Sequence, residues 1–382
     1  MRTTALVVHE AGDPFHLEPI EVASNDLRPD EVLVEIKATG ICHTDINFRK
    51  EKSFPGLFPA VFGHEGAGII VGVGSAVTLA SPGDHVCITY TCCGSCANCS
   101  ARQTSYCATW ETQNFGVGRP DGSKAYSYPE DSSRKGPITS HFFGQSSMSK
   151  HAICSERSVV VVDKDVPLEV LAPLGCGIMT GAGAMLHHAL VTSSAIKPAS
   201  IAIIGTGAVG LAALMAARLS PKPPTSLIAV DIVPSRLATA QKYGATHVID
   251  SSANSSLTEA LLAATGGVGV DAIIDTTGRP AIIRASLEAL RKRGKVVSVG
   301  VGVLTNELST PIFHTVNTGR VYEGCAMGSA DPQVFIPKLV QGWKNGDFPY
   351  SDLIKTFSVE DAEAAVKGVL SGDVVKAVLV WD

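Results

Sequence analysis

Between residues 200 and 299 the chain alternates short apolar runs with helix-like stretches, and this alternation constrains its fold more than any other feature. Ser200–Ile204 reads as a buried strand, followed by a helix through Gly210–Leu219. Leu227–Val230 is the next strand, and a second helix runs from Ser235 to Tyr243. His247–Ile249, Ala272–Asp275 and Val296–Val299 continue the series. Strands separated by helices predict a parallel sheet wrapped by helices, an α/β fold.

The turn after the first of these strands reads Gly205-Thr206-Gly207-Ala208-Val209-Gly210. A G-x-G-x-x-G run alone is weak. Here it follows a strand, opens a helix, and is answered by Asp231 at the end of the next strand, about twenty residues on. Glycine at these positions permits the turn, the approach of a pyrophosphate and close helix–strand packing. The helix N-terminus favours phosphate charge. Asp231 is expected to accept hydrogen bonds from the ribose hydroxyls and to repel a 2′-phosphate, so the expected cofactor is NAD rather than NADP. Arg236 reads either as lying along the ribose or as a solvated side chain.

Residues 1–177 read as β-rich. Glu31–Ile36 alternates at period two, Gly66–Gly74 is apolar and punctuated by glycine, and Pro82-Gly83-Asp84 precedes a strand at His85–Thr89. Residues 111–140 are polar and rich in Gly, Ser and Pro, and read as a long loop. Residues 327–382 offer a helix at Pro332–Gly342 and a last strand at Val374–Val380. They are too few for a separate domain. The expected organisation is therefore a β-rich domain from 1–177 completed by 327–382, around a dinucleotide-binding domain at 178–326.

A net charge of −5 argues against a nucleic-acid partner, which usually selects a basic surface. No apolar run reaches the length of a membrane span, and the apolar stretch after Met1 is too short for a signal peptide. A cytoplasmic protein with no membrane partner is the expectation. Of ten cysteines, five crowd between Cys92 and Cys107. In a reducing compartment such crowding points to metal rather than disulfides. Cys93, Cys96, Cys99 and Cys107 follow C-x2-C-x2-C-x7-C, and four thiolates in one compact loop form the closed tetrahedral shell of structural zinc. Cys92 is out of phase with this set. Four merely buried or redox cysteines are the alternative, but these seldom crowd so closely.

Three further segments are weak singly: Gly40-Ile41-Cys42-His43-Thr44-Asp45, Gly63-His64-Glu65-Gly66 and Leu174-Gly175-Cys176-Gly177. A lone cysteine or histidine is more often a core residue than a ligand. Together they supply two thiolates and an imidazole, the set that leaves zinc an open fourth position.

With these segments in this order, the chain resembles the zinc-containing medium-chain alcohol dehydrogenase family over essentially its whole length, ending at Val375-Lys376-Ala377. The stretch Phe58–Gly68 is most similar to aryl-alcohol members. The resemblance implies a GroES-like β-rich catalytic domain beside a Rossmann domain, two zincs per chain, and NAD-linked interconversion of a primary, bulky or aromatic alcohol and its aldehyde. It implies Cys42, His64 and Cys176 as ligands of a catalytic zinc and Thr44 as the group that takes the substrate proton. Asp45 is implied to orient the ligand histidine, and Glu65 to stand beside the metal. His43 and Lys376 are implied against the cofactor pyrophosphate, and Thr180 beside the nicotinamide. A solvated lysine is the alternative for Lys376.

Two departures stand out. Many members carry a relay histidine where this chain has Asn47, which cannot titrate. Glutathione-dependent formaldehyde dehydrogenases carry an arginine four residues after the last lobe cysteine, where this chain has Glu111; that activity is disfavoured. Phe54, Thr89, Trp110 and Phe142 fall near pocket positions, and the small Thr89 is expected to widen the pocket. Core packing is the alternative for the two phenylalanines. Rival readings are a reductase of a specialised aldehyde, activated alkene or iminium, and a non-catalytic dinucleotide-binding protein, which would be expected to lose zinc ligands. The long 111–140 segment resembles that of dimeric members, so a homodimer is expected.

Overall fold

The computed structural model describes residues 1–191, 199–253, 256–302 and 305–382. The chain divides into two compact units. One comprises residues 1–176, 331–340 and 351–382, the other residues 177–330 and 341–350.

The second unit is built on a six-stranded sheet with every neighbouring pair parallel. Across the sheet lie His247–Asp250, Ser226–Asp231, Ser200–Ile204, Val270–Asp275, Leu290–Ser298 and Val321–Gly324. Numbered along the chain this is the order 3-2-1-4-5-6, that of a Rossmann dinucleotide fold. Ser200–Ile204 is buried along its whole length, as a strand covered on both faces must be. Ile204, Val230, Ile273 and Val296 from the strands share one core with Leu261 and Ile283 from the helices.

Among the boundaries that differ from the sequence reading, two show why. The helix expected from Gly210 starts at Ala208, because Gly207 is its N-cap. The strand expected at Val296–Val299 begins at Leu290. Its first half passes through Arg291-Lys292-Arg293, and an apolar pattern cannot register a charged stretch of strand.

The first unit contains two sheets. In the larger, Glu31–Gly40 is the organising strand. It pairs along one edge with Gly66–Val73, and along the other with His151–Ser155 at its start and Lys376–Val380 at its end. Flanked on both edges, it is buried far beyond what its period-two pattern implies. The C-terminal strand Lys376–Val380 thus lies beside residues 38–40, which lead into Cys42.

The segment 111–140, read as a long loop, is mostly loop but carries short elements. Trp110–Phe115 is helical, and Tyr126–Ser127 and Pro137–Ile138 add two short strands to the five-stranded sheet. Strands of two residues are too short to carry a periodic signal. Arg119 pins this segment to the organising strand. Its Nε donates to Glu31 at 2.7 Å, and both side chains are buried. No single helix among the described residues is long and apolar enough to cross a membrane.

Candidate metal centres and dinucleotide loop

The four-cysteine lobe brings Cys93, Cys96, Cys99 and Cys107 together, with their sulfurs all within 4.8 Å of one another. Cys93 and Cys99 Sγ are 3.9 Å apart, close to the roughly 3.8 Å edge of a tetrahedron with zinc–sulfur bonds of about 2.3 Å. Backbone amides point at the sulfurs. Cys96 N donates to Cys93 Sγ at 3.4 Å, Ala108 N to Cys96 Sγ at 3.5 Å and Cys93 N to Cys107 Sγ at 3.3 Å. Amides from Ser95 and Cys96 hold the Cys93 thiol down to about 5, and the Ala108 amide lowers Cys96. Two of the four thiols are thus held toward thiolate, the form that binds metal, while burial pushes the Cys99 thiol up.

The second cluster gathers residues far apart in sequence. Cys42, His64 and Cys176, with a carboxylate oxygen of Glu65, place their ligand atoms within 4.8 Å of one another. His64, Glu65 and Cys176 are buried. His64 Nδ1 is 2.8 Å from Asp45 Oδ1, and His64 Nε2 is buried without a hydrogen-bond partner. An orphaned ring nitrogen between two thiols fits a metal ligand. Burial alone would depress the His64 imidazole, but the charges of Asp45 and Cys42 overcome it and hold the ring well above its usual range. The hydrogen bond with Cys176 holds the Cys42 thiol well below its ordinary range and leaves Cys176 well above.

Asp45 organises this cluster. It lies on the short helix His43–Phe48, with Cys42 as N-cap. One carboxylate oxygen accepts from Cys42 N at 3.0 Å. The other accepts from Gly63 N at 3.1 Å and faces His64 Nδ1. One side chain therefore ties the first two ligand segments together. Thr44 Oγ1 is 3.7 Å from Cys42 Sγ, and His43 and Asn47 are exposed.

Lys376 has a neighbour that the sequence reading did not name. Its ammonium is buried, paired with Glu65 and bonded to Ile41 O at 3.1 Å. It is not a solvated lysine; it balances Glu65 beside Cys42, His64 and Cys176. Burial pushes the Glu65 carboxyl up, and Lys376 offsets part of that shift. Gly40 makes this pair possible, since a Cβ there would lie 2.0 Å from Glu65 Oε2.

The expected pocket residues are mostly packed. Phe142 meets Phe48, Phe62 and Phe143 with ring centroids 5.1–5.2 Å apart. Phe48, Phe54, Phe115 and Phe142 enclose, with three other residues, a cavity of only about 10 Å³. Phe142 is buried in this aromatic cluster, and Phe54, half-buried, packs on its edge against Phe48. The cluster reaches the metal site, where Phe143 stacks on His64 at 4.5 Å and Phe142 approaches it edge-on at 5.7 Å. Trp110 packs on Tyr90 at 4.8 Å. Thr89 has a structural partner of its own. It is fully buried and donates its hydroxyl to Gly175 O at 2.6 Å. Gln145, which carried no sequence signal, is fully buried against the same segments.

In the second unit, the dinucleotide loop has the shape a pyrophosphate needs. The space where a Cβ on Gly207 would project is open to 4 Å, whereas a Cβ on Gly210 would meet Gly205 O at 1.9 Å. Ala208 and Val209 open the helix, and Thr180 is buried on the helix Gly177–Gly183. Asp231 is turned to its own loop. One oxygen accepts from Thr206 N at 2.6 Å and Thr206 Oγ1 at 2.9 Å, the other from Ile232 N at 2.8 Å and Val233 N at 3.0 Å. A carboxylate has about four acceptor positions, so the expected ribose contact requires one of these bonds to yield. Arg236 is half-buried, and its Nε has no partner among the described residues.

Comparison with known proteins agrees with this architecture. The alcohol dehydrogenase GroES-like domain model matches residues 28–162, and the zinc-binding dehydrogenase model matches residues 208–341. A geraniol dehydrogenase from Castellaniella defragrans is 36% identical over 379 residues, covering 99% of this chain and 97% of the relative. An S-(hydroxymethyl)glutathione dehydrogenase from Aspergillus oryzae is 34% identical over 380 residues, covering 98% and 95%. The crystal structure of benzyl alcohol dehydrogenase from Acinetobacter calcoaceticus superposes with a TM-score of 0.91 at 36% identity, over 100% of both chains. The chain belongs to the zinc-dependent medium-chain alcohol dehydrogenases, oxidoreductases that act on alcohols and aldehydes with zinc and NAD.

Proposed function

We propose that this chain interconverts a bulky or aromatic primary alcohol and its aldehyde, using NAD in preference to NADP. The observation that supports the substrate class is the aromatic cluster that reaches His64, with Phe143 stacked on its ring and Phe142 edge-on to it. Aromatic rings favour other rings and extended apolar groups over small polar ones. The names of the geraniol and benzyl alcohol dehydrogenases support the same class. The negative Asp231 at the end of its strand disfavours a 2′-phosphate.

Cys42, His64 and Cys176 would hold the catalytic zinc, and the four lobe cysteines the structural one. Zinc held by three side chains supplies a Lewis acid with one position left for substrate oxygen, and NAD supplies the hydride acceptor. The chain's own groups do the rest. Asp45 fixes the tautomer of His64 so that Nε2 presents its lone pair. Thr44 Oγ1 takes the hydroxyl proton. Asn47 cannot accept it; the exposed His43 could carry it on to solvent, and a bound cofactor would offer its ribose hydroxyls as the other route. Phe142 and Phe143 shield the site from water.

The intact ligand set weighs against a non-catalytic protein. The specialised reductase and the S-(hydroxymethyl)glutathione activity remain as arms of one test, the second disfavoured by Glu111. A panel of benzyl-type, terpenoid and short-chain alcohols and aldehydes, with S-(hydroxymethyl)glutathione, is assayed with NAD and NADP. The proposal expects benzyl-type or terpenoid alcohols with NAD to give the highest kcat/KM. Preference for ethanol, for the glutathione adduct or for NADP would refute it.

We further propose a cytoplasmic homodimer. Val321–Gly324 is an open edge of the parallel sheet, and Ile312, Phe313 and Val316 of the preceding helix are each at least three-quarters exposed. Open edges and apolar patches of this kind favour association. Sizing chromatography with light scattering tests it, and a monomeric mass would refute it.

A further inference from the structure

The segment from His141 to Ser146 is strained. His141, Phe143, Gly144 and Ser146 have φ of 65°, 51°, 70° and 51°, and three of the four are not glycine. A residue with a Cβ seldom holds this conformation and persists in it only where its surroundings impose it. Here the surroundings are the ligand segment. Ser146 Oγ donates to Val61 O at 2.6 Å, Ser147 N to Gly63 O at 3.0 Å and Met148 N to Phe62 O at 2.9 Å. The strap lies along residues 61–66 and places one amide side chain, Gln145, behind His64.

All three polar bonds of Gln145 are directed at this region. Its Nε2 donates to His64 O at 3.0 Å and to Thr89 O at 3.0 Å, and its Oε1 accepts from Gly66 N at 3.2 Å. Thr89 then donates its hydroxyl to Gly175 O, the carbonyl of the peptide that joins Gly175 to Cys176. Asp45 links Cys42 to His64, as described above. Gln145 and Thr89 continue the connection from His64 to the third ligand.

We propose that Gln145 and Thr89 act in series as positioning residues that set the place of Cys176 relative to His64, and so the affinity of the catalytic site for its metal. This rests on the reading of Cys42, His64 and Cys176 as metal ligands. A primary amide suits the position because it donates twice and accepts once. Glutamate would set an oxygen against two carbonyl oxygens, and methionine would leave all three groups unsatisfied. Residues that orient metal ligands typically change affinity 10–100-fold when altered. A role confined to holding the strap would instead lower stability and leave the metal unaffected.

The test uses the full-length protein with Gln145→Met, Thr89→Val, Thr89→Ser and the Gln145→Met/Thr89→Val double variant. Zinc affinity at both sites is measured by competition with a chromophoric chelator. Cobalt replaces zinc in parallel, and its thiolate charge-transfer band is recorded. The expected result is a catalytic-site affinity about 10–100-fold lower in Gln145→Met and Thr89→Val, with the lobe unchanged. The cobalt band shifts, Thr89→Ser restores both readouts, and the double variant is no worse than the weaker single one, as two links in one series require. If Gln145→Met does not fold, the two Thr89 variants decide the question. Unchanged affinity and spectrum in Thr89→Val, while the wild type holds two metals, overturns the proposal. A wild type that holds only the lobe metal overturns the ligand reading itself, and the proposal with it.

Discussion

Asp45 and His64 are both fully buried, and Asp45 Oδ1 lies 2.8 Å from His64 Nδ1. The same carboxylate accepts the amides of Cys42 and Gly63, so it fixes the direction of the imidazole and the spacing of two ligand segments. Asp45→Asn keeps the shape but sets an NH₂ against one of these donors. Catalytic-site metal affinity should fall about 10–100-fold, while lobe zinc stays. Chelator competition on the folded variant checks this, and wild-type affinity would count against it.

The dinucleotide loop separates two kinds of glycine. Gly207→Val fills open space, so NAD affinity should drop at least tenfold with little change in Tm. Gly210→Ala drives a methyl to 1.9 Å from a backbone oxygen, so the domain itself should be destabilised. Calorimetric titration with NAD and thermal melts distinguish the two. Equal effects on both readouts would contradict the assignment.

Arg119→Met removes the partner of a buried carboxylate and should cost about 3–5 kcal/mol in denaturant unfolding. Burial works against the charge on Glu31, but the His141 ring 3.7 Å away and hydrogen bonds from Arg119 and the Arg28 amide hold its carboxyl down to about 2. A depressed carboxyl contributes stability that is present above its ordinary value of 4.5 and is lost as pH falls toward 2. The gap between wild type and variant should therefore be full at neutral pH and shrink below pH 4.5. A gap independent of pH would rule out the ion pair as its source.

Asn47 is exposed and cannot titrate. Asn47→His should leave the rate and the pH profile within about twofold if the position lies outside the proton route. A new ionisation in kcat against pH would place it inside.

What the sequence made legible follows from how each feature is encoded. The four-cysteine lobe and the loop at Gly205–Gly210 are local, and their spacing carries the chemistry. The catalytic cluster was visible only as three segments that matched one family in order. Asp45 was legible because it sits within one of those segments. Gln145 and Thr89 were not, because a single polar residue in a strained strap has no period and its partners lie 56–86 positions away. The pairing of Lys376 with Glu65 was not legible, since sequence cannot show that Gly40 leaves room for Glu65 beside it. The short elements inside the 111–140 loop went unseen because its strands are two residues long.

The most direct test of the account is zinc content and turnover measured together on wild type, Cys42→Ser and Cys107→Ser. Wild type should hold two zincs per chain and oxidise a benzyl-type alcohol with NAD. Cys42→Ser should keep one zinc, bind NAD normally and lose at least a thousandfold in kcat. Cys107→Ser should lose the lobe zinc and lower Tm. A Cys42→Ser protein that retains two zincs and near-wild-type turnover would contradict the assignment of the catalytic centre.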